Sequence, residues 1–267
     1  MERQAAAGRG RCWATLLTHA QYLPGVAVLV RSLAQHGTRY PLVVMTTDEV
    51  DVETRDVLGA MGCVVRDVPC WTVDVPSGEM ASARFVNVWT KLRAFGLVEY
   101  ERVVLIDSDM LVCGAVDELM EIDLPDGCIA ACSACTCNPN GVPTYPAHWV
   151  PENCAYSARE SGAELSYPMP VPPDAHGLLN SGLVVLVPSA EQEQALHCFL
   201  DQHAEHVGKY KFPDQDLLAD VYAGRWLPLP WYYNALKTLR RCHAGMWDDS
   251  KVRVVHYILE YVETNQD

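Results

Sequence analysis

Apolar residues recur along this chain in two rhythms. Cys12 to Leu17 is a short, mostly apolar run, the length of one strand. It breaks at Thr18-His19-Ala20-Gln21-Tyr22, and Pro24 opens a segment in which Val26, Leu29, Val30 and Leu33 fall on one helical face until Gly37 ends it. Leu42 to Thr46 is a second apolar strand. Asp51 to Ala60 reads as a helix with Val52, Val57 and Leu58 inward; Gly62 closes it and Cys63 to Val68 is a third strand. Strand and helix therefore alternate over the first 70 residues, which predicts a parallel sheet with right-handed crossovers.

The next 16 residues, 71 to 86, are a polar loop, and Trp89 to Phe95 is helical, with Trp89, Leu92 and Phe95 on one side and Lys91 and Arg93 on others. Val103-Val104-Leu105-Ile106 has the unbroken apolar character of a strand buried on both faces, and it stops abruptly at Asp107-Ser108-Asp109. A helical turn around Asp117 to Met120 and a strand from Ile129 to Cys132 follow. Residues 133 to 178 carry eight prolines and little periodicity, the mark of an insertion over the ligand edge of the sheet. Regular pattern resumes with a strand at Leu183 to Val187, a helix from Ala190 to about His203, and a helix from Asp214 to Ala223 with Leu217, Leu218 and Val221 inward. Trp226 to Trp231 is extended, and Val252 to Tyr257 is the last strand, with His256 on the same side as Val252 and Val254.

Composition narrows the function. A chain of 267 residues suits one large α/β domain. A formal net charge of −14 argues against a nucleic-acid partner or an anionic membrane surface, though not against a phosphorylated ligand whose charge a metal carries. No apolar run reaches the about 18 residues of a membrane span. Met1 to Arg11 is polar, with three arginines and no apolar stretch of a secretory signal, so the 11 cysteines are expected to be mostly reduced and the protein cytoplasmic. No phosphate-binding G-x-x-x-x-G-K motif is present, and no G-x-G-x-x-G follows a strand, so a dinucleotide cofactor is not indicated.

The candidate chemistry lies at the strand ends. Acids at the carboxyl end of a buried strand are costly without positive charge, and ligands of open α/β sheets bind beside those ends. Asp107 and Asp109 either cap the next turn or hold a divalent cation with phosphates. His256 is either a hydrogen-bonded core residue or the third ligand of an Asp-Asp-His set that suits manganese or magnesium. Thr18-His19, Asn180-Ser181-Gly182 and Asp214-Gln215-Asp216 fall at other edges of the same sheet, the last opening a helix. Cys128, Cys132, Cys135, Cys137 and Cys154 cluster in sequence, and Cys132-x-x-Cys135 has metal-ligand spacing; no second pair completes a four-ligand site, so buried free thiols are expected. His197, His203 and His206 read as a solvated helix face, and Trp226, Trp231, Tyr232 and Tyr233 as packing between strand and helix.

Thr15-Leu16-Leu17-Thr18, Thr90-Lys91-Leu92, Ile106-Asp107-Ser108-Asp109, Asn180-Ser181-Gly182, Asp214-Gln215, Tyr233-Asn234 and Val254-Val255-His256-Tyr257 resemble, in order and spacing, the motifs of family 8 glycosyltransferases. The resemblance spans about residues 12 to 257. Tyr40-Pro41-Leu42-Val43-Val44, Cys63-x-Val65-Arg66 and Leu124-Pro125-Asp126-Gly127 lean toward the galactinol synthase branch rather than the glycogenin branch. The resemblance implies a GT-A fold, a Rossmann-like mixed sheet flanked by helices in one domain over residues 12–267, after a disordered 1–11. It implies transfer, with retention, of a hexose from UDP-galactose or UDP-glucose to a polyol or glycan acceptor. By the same analogy Asp107, Asp109 and His256 bind Mn²⁺, with Mg²⁺ as the substitute. Leu17, Thr18 and Tyr22 match positions around uracil and ribose, Lys91 and Ser108 match positions at the donor, and Asn180, Ser181 and Gly182 match contacts to sugar hydroxyls. Asp214 and Gln215 match the catalytic pair beside the anomeric carbon, neither assigned as nucleophile, and Arg84 matches a donor-binding arginine. A homodimer is compatible with the sequence.

One departure stands out. Family members follow the histidine with a glycine and then K-P-W, whose lysine grips the diphosphate. Here His256 precedes Tyr257-Ile258-Leu259-Glu260-Tyr261-Val262-Glu263. Two other readings accompany the first: a glycogenin-like protein that glucosylates itself, which the resemblance also allows, and a nucleotide-sugar-binding protein with impaired catalysis, which this departure suggests.

Overall fold

Two strands flank the first strand and run parallel to it. In the computed structural model, which describes residues 10–72, 88–160 and 177–258, β1 (Gly10–Leu17) pairs with β2 (Leu42–Thr46) on one side and with β4 (Tyr100–Ile106) on the other. β3 (Val64–Asp67) adds to β2, also parallel. The connections are α1 (Leu23–Gln35) and α2 (Val52–Ala60). The chain thus moves outward from β1 in one direction and returns to its other side at β4, and this reversal opens a crevice at the carboxyl ends of β1 and β4.

Beyond β4 the sheet becomes mixed. A short β5 (Met110–Val112) leaves it; β6 (Ile129–Ser133) and β7 (Leu179–Leu186) are antiparallel to each other, and β7 is antiparallel to β4. β8 (Trp226–Leu229) joins β6 in parallel. The order is β3-β2-β1-β4-β7-β6-β8. A second sheet of three strands sets β10 (Val254–His256) between β5 and β9 (Ala235–Leu236). This is the single-domain mixed α/β sheet expected from the sequence.

The unbroken apolar strands do what their pattern predicts. Along β4, Val103 and Leu105 pack into the core on one face of the sheet, and Val104 and Ile106 into the core on the other. The first core is covered by α4 (Ala190–Gln202), through Leu196 and Leu200, and by α6 (Pro213–Val221), through Leu217 and Leu218. The second is covered by Val26, Leu29 and Leu33 of α1 and Leu58 of α2. Two short helices, α3 (Ala155–Glu160) and α5 (Ala204–Val207), and α7 (Lys237–Cys242) complete the chain. Of the expected insertion over residues 133–178, the described part carries α3 and a 3-10 turn at Pro151–Asn153.

Three expectations need correction. In α2, Val52 and Val57 face solvent at 69% and 40% exposure, while Thr54 and Leu58 face inward. The Asp51 carboxylate caps the helix by accepting from the Thr54 backbone N–H, and that cap sets the phase so that positions 54 and 58, four apart, share the buried face. Val88–Gly96 is a 3-10 helix. Its three-residue turn lines up Trp89, Leu92 and Phe95 as expected, but it puts Lys91 in a separate row that is buried, 6% exposed, against the sheet. Finally, Asn180-Ser181-Gly182 lies inside β7 rather than before it, next to a register shift at Ala131/Cys132 of the partner strand.

Candidate active site

The carboxyl end of β4 places Asp107 where two backbones meet. Its N–H donates to Gly182 O of β7 at 2.9 Å, and a tight turn follows in which Met110 N–H returns to Asp107 O. That turn brings Asp109 beside Asp107 and leads into β5, whose Met110 pairs with His256 of β10. Three short segments, distant in sequence, are thereby fixed to one another through their backbones. The Nε2 of His256 lies 3.3 Å from Asp109 Oδ1 and 4.0 Å from Asp107 Oδ2. One ligand atom from each of Asp107, Asp109 and His256 fits within 4.8 Å of the others.

Lys91 closes the other side. Its ammonium lies 2.7 Å from Asp107 Oδ1 and 2.9 Å from Asp214 Oδ2 at the start of α6, and donates to Ser181 O at 2.8 Å. An ammonium has three hydrogens, and these three acceptors use all of them. Lys91 therefore braces two carboxylates. Three carboxylates against one ammonium leave the pocket two negative charges in excess, the complement of one divalent cation. Burial raises the Asp107 carboxyl above the usual carboxylate range, Lys91 opposes the rise, and Asp109 adds to it. Burial acts the same way on Asp109 and Asp214, but the hydrogen bond and charge of His256 hold the first low, and the charge and hydrogen bond of Lys91 hold the second low.

A chain of amides orients the imidazole. Asn180 Nδ2 donates to Gln215 Oε1 at 3.2 Å, and Asn234 Nδ2 donates to Asn180 Oδ1 at 2.6 Å. Asn234 Oδ1 is then the acceptor for His256 Nδ1, at 2.8 Å. With Nδ1 donating to Asn234 Oδ1, Nε2 is the ring atom turned toward the two carboxylates. Two carboxylates and an imidazole nitrogen facing one another fit a metal, and in that role the Asn234 contact would be the outer-shell bond that orients the ring. Gln215, 5% exposed, has its Nε2 buried with no partner among the described residues, which marks a place for a ligand acceptor.

Two glycines permit the close packing. A Cβ on Gly182 would lie 2.7 Å from His256 Nδ1 and 3.0 Å from Asn180 Oδ1. A Cβ on Gly25 would lie 2.6 Å from Ser108 O, so the first turn of α1 can rest on the Asp-Ser-Asp turn only because Gly25 has none. Of the residues expected at the site, Asp107, Asp109, His256, Lys91, Asn180, Ser181, Gly182, Asp214 and Gln215 form one connected set. Ser108 turns its carbonyl to α1. Thr18 and the exposed Tyr22 follow β1 at the neighbouring strand end, whereas the side chain of Leu17 is wholly buried in the core and offers only its backbone. Arg84 and the segment from Leu259 onward fall outside the described residues. Sequence reasoning did not include Gly25 or give Asn234 a role; Asn234 had a signal, its place in the Tyr233-Asn234 motif, and Gly25 had none.

The sequence profile described as glycosyl transferase family 8 matches residues 14–261. Similar proteins include galactinol synthase 7 of Arabidopsis thaliana, 28% identical over 259 residues, which covers 94% of this chain and 73% of the relative. Galactinol synthase 1 of Solanum lycopersicum is 27% identical over 243 residues, covering 91% and 69%. Among solved structures, the galactosyltransferase LgtC in complex with donor and acceptor sugar analogs shares the fold at a TM-score of 0.61 and 15% identity, covering 92% of this chain and 87% of that one. Mouse xyloside xylosyltransferase 1 does so at 0.59 and 15%, covering 93% and 98%.

Proposed function

Because the chain belongs to glycosyl transferase family 8, we propose that it is a retaining, metal-dependent hexosyltransferase that moves a hexose from UDP-galactose or UDP-glucose to a polyol or glycan, in the manner the galactinol synthase relatives suggest. The observation that carries this reading is the convergence of Asp107, Asp109 and His256 beside the Lys91–Asp214 pair at the reversal of the sheet. A divalent cation held by those three ligands, Mn²⁺ or Mg²⁺, would hold the donor diphosphate and balance the charge it gains as the glycosyl bond breaks.

The other residues divide the remaining work. Thr18, Tyr22 and the backbone of Leu17 border the nucleoside end. Asn180, Ser181 and Gly182 line the sugar end, where the unpartnered Nε2 of Gln215 takes a sugar oxygen as its acceptor. Asp214, kept ionised by Lys91, offers a fixed negative charge to an oxocarbenium-like centre and has no free proton to give. Cytoplasmic residence accords with this reading, and no helix among the described residues is long and apolar enough to cross a membrane.

The test is UDP release from UDP-galactose and UDP-glucose, with and without polyol acceptors, in Mn²⁺ and in EDTA. Turnover should require the metal and fall at least about a hundredfold in Asp109→Ala, the cost of losing about 2.7 kcal/mol of transition-state stabilisation. Full activity of that variant refutes the proposal. Binding of UDP and Mn²⁺ by calorimetry without turnover would leave a nucleotide-sugar-binding protein. Added hexose in the intact mass after UDP-glucose would indicate self-glucosylation.

A further inference from the structure

We propose that Cys135, Cys137, Cys154 and His243 form a second metal centre, a closed structural Zn²⁺ site built from side chains that the acidic site does not use. The four ligand atoms lie within 4.8 Å of one another. The Nε2 of His243 is 3.6 Å from Cys135 Sγ, 3.3 Å from Cys137 Sγ and 3.5 Å from Cys154 Sγ. Around a tetrahedral zinc with Zn–S near 2.3 Å and Zn–N near 2.05 Å, the nitrogen-to-sulfur edge is about 3.55 Å. All three observed distances fall close to that edge. Hydrogen bonding alone does not account for them: one ring nitrogen carries one hydrogen or one lone pair, enough for one sulfur and not three.

The surroundings agree. Cys154 is fully buried, Cys137 and His243 are 8% and 1% exposed, and Cys135 is half-buried, so most of the cluster is shielded from water. The outer nitrogen of His243, Nδ1, lies 3.0 Å from Glu160 Oε2, and the other oxygen of that carboxylate accepts from Met246 N–H at 3.1 Å. A carboxylate held by the backbone and turned to the far nitrogen of a histidine is the usual support of a zinc ligand. Four protein ligands leave no open position, which makes the site structural. Three thiolates and an imidazole select a soft ion such as zinc, while the oxygen-rich set at Asp107 selects Mn²⁺ or Mg²⁺.

The cluster also draws distant segments together. Cys135 and Cys137 follow β6, Cys154 precedes α3, and His243 follows α7, so a bound ion would tie together segments about a hundred residues apart. The small core beneath them, with Tyr156, Trp231, Leu236 and Leu239, is separate from the two cores of the main sheet. Small cores commonly need such a staple. The thiols are free, as the sequence led one to expect, but the ones that converge are not the Cys132-x-x-Cys135 pair. Cys132 lies outside the cluster, its Sγ donating to Pro230 O at 3.2 Å, and the working pair is Cys135-x-Cys137.

The test is metal analysis of the full chain produced with added zinc and washed with EDTA. About one zinc per chain is expected in the wild type and in Asp109→Ala, falling to under about a tenth in Cys154→Ser. Independently of whether that variant folds, zinc-edge X-ray absorption of the wild type should show a first shell of three sulfurs and one nitrogen. Zinc-free wild type, a first shell of oxygen and nitrogen only, zinc lost in Asp109→Ala, or a disulfide among these cysteines in the non-reduced intact mass would each overturn the proposal.

Discussion

Gly182→Ala is the sharpest test of the geometry around the acids. The added methyl carbon would press on His256 Cε1 and stand 2.7 Å from Nδ1, whereas ordinary contact begins near 3.4 Å, so one of the two must retreat by more than about 0.7 Å. Gly182 cannot readily do so. Its carbonyl accepts from Asp107 N–H at 2.9 Å and its N–H donates to the Asn180 side chain at 3.0 Å, so both its polar groups are tied. The imidazole therefore moves, and it leaves the Asn234 bond that orients it. Metal ligation tolerates roughly 0.2 Å, so a displacement of this size should weaken Mn²⁺ binding about tenfold to a hundredfold, or about 1.4–2.8 kcal/mol. Overpacking should add about 1–3 kcal/mol of destabilisation.

Free Mn²⁺ measured by electron paramagnetic resonance during titration gives the affinity of wild type, Gly182→Ala, His256→Ala and the double variant. The loss in Gly182→Ala should vanish in the His256→Ala background, because the methyl then meets no ring. Mn²⁺ affinity of Gly182→Ala within twofold of wild type would refute the reasoning. So would losses that simply add in the double variant.

Two further perturbations probe the charges. Lys91→Met removes the one cation shared by Asp107 and Asp214 and should cost about 3–5 kcal/mol at neutral pH. In the wild type Asp214, held low by Lys91, gives stability that is present above the ordinary carboxylate range and lost as pH falls. In the variant the same carboxylates are raised, so stability is greatest in acid and falls as pH rises. Thermal melts from pH 4 to 8 should therefore diverge from wild type with rising pH, and a deficit independent of pH would count against the brace. Asp216, whose carboxyl burial raises to about 6, accepts from the Lys211 and Phe212 N–H groups through one oxygen, so Asp216→Asn keeps both bonds. The native state holds that proton longer than the unfolded chain, so the aspartate costs nothing near pH 4 and most above pH 6. Asp216→Asn should thus raise the melting temperature at pH 7.5, by at most about 3 kcal/mol of stability, and leave it unchanged at pH 4; the reverse order would exclude the assignment.

The two faces of each central strand were legible because a doubly buried strand has a continuous apolar run, and Val103 to Ile106 has one. Asp107 and Asp109 were legible for the complementary reason, that acids ending such a run require an explanation. Lys91 was placed by resemblance but not by pattern. A helical wheel sets it among solvated residues, and only the three-residue turn of Val88–Gly96 buries it. Val52 and Val57 misled because a cap outranks two exposed valines in fixing the phase of a short helix. Cys135, Cys137 and Cys154 were grouped in the sequence, but their partner was not, because Cys-x-Cys is a weak signal and His243 lies 108 residues from Cys135. Gly25 carried no signal at all, since its role depends on how closely α1 approaches a carbonyl eighty-odd residues onward.

These long-range features share one piece of chain. Asn234, which holds Nδ1 of His256, immediately precedes β9, and β9 pairs with β10 so that Leu236 lies opposite His256 itself. From β9 the chain enters α7 and reaches His243 of the cysteine cluster. Ala235, Leu236 and Leu239 of this segment pack with Cys137 and Cys154 in the small third core. The main sheet fixes Asp107, Lys91 and Asp214 without help from that core. His256 is different: β5 as well as β9 holds its backbone, but the Asn234 bond that orients its ring comes from a segment anchored at the cluster. Loosening the cluster should therefore leave the acids and the register of β10 in place and loosen the imidazole, which couples the two groups although they are chemically unlike.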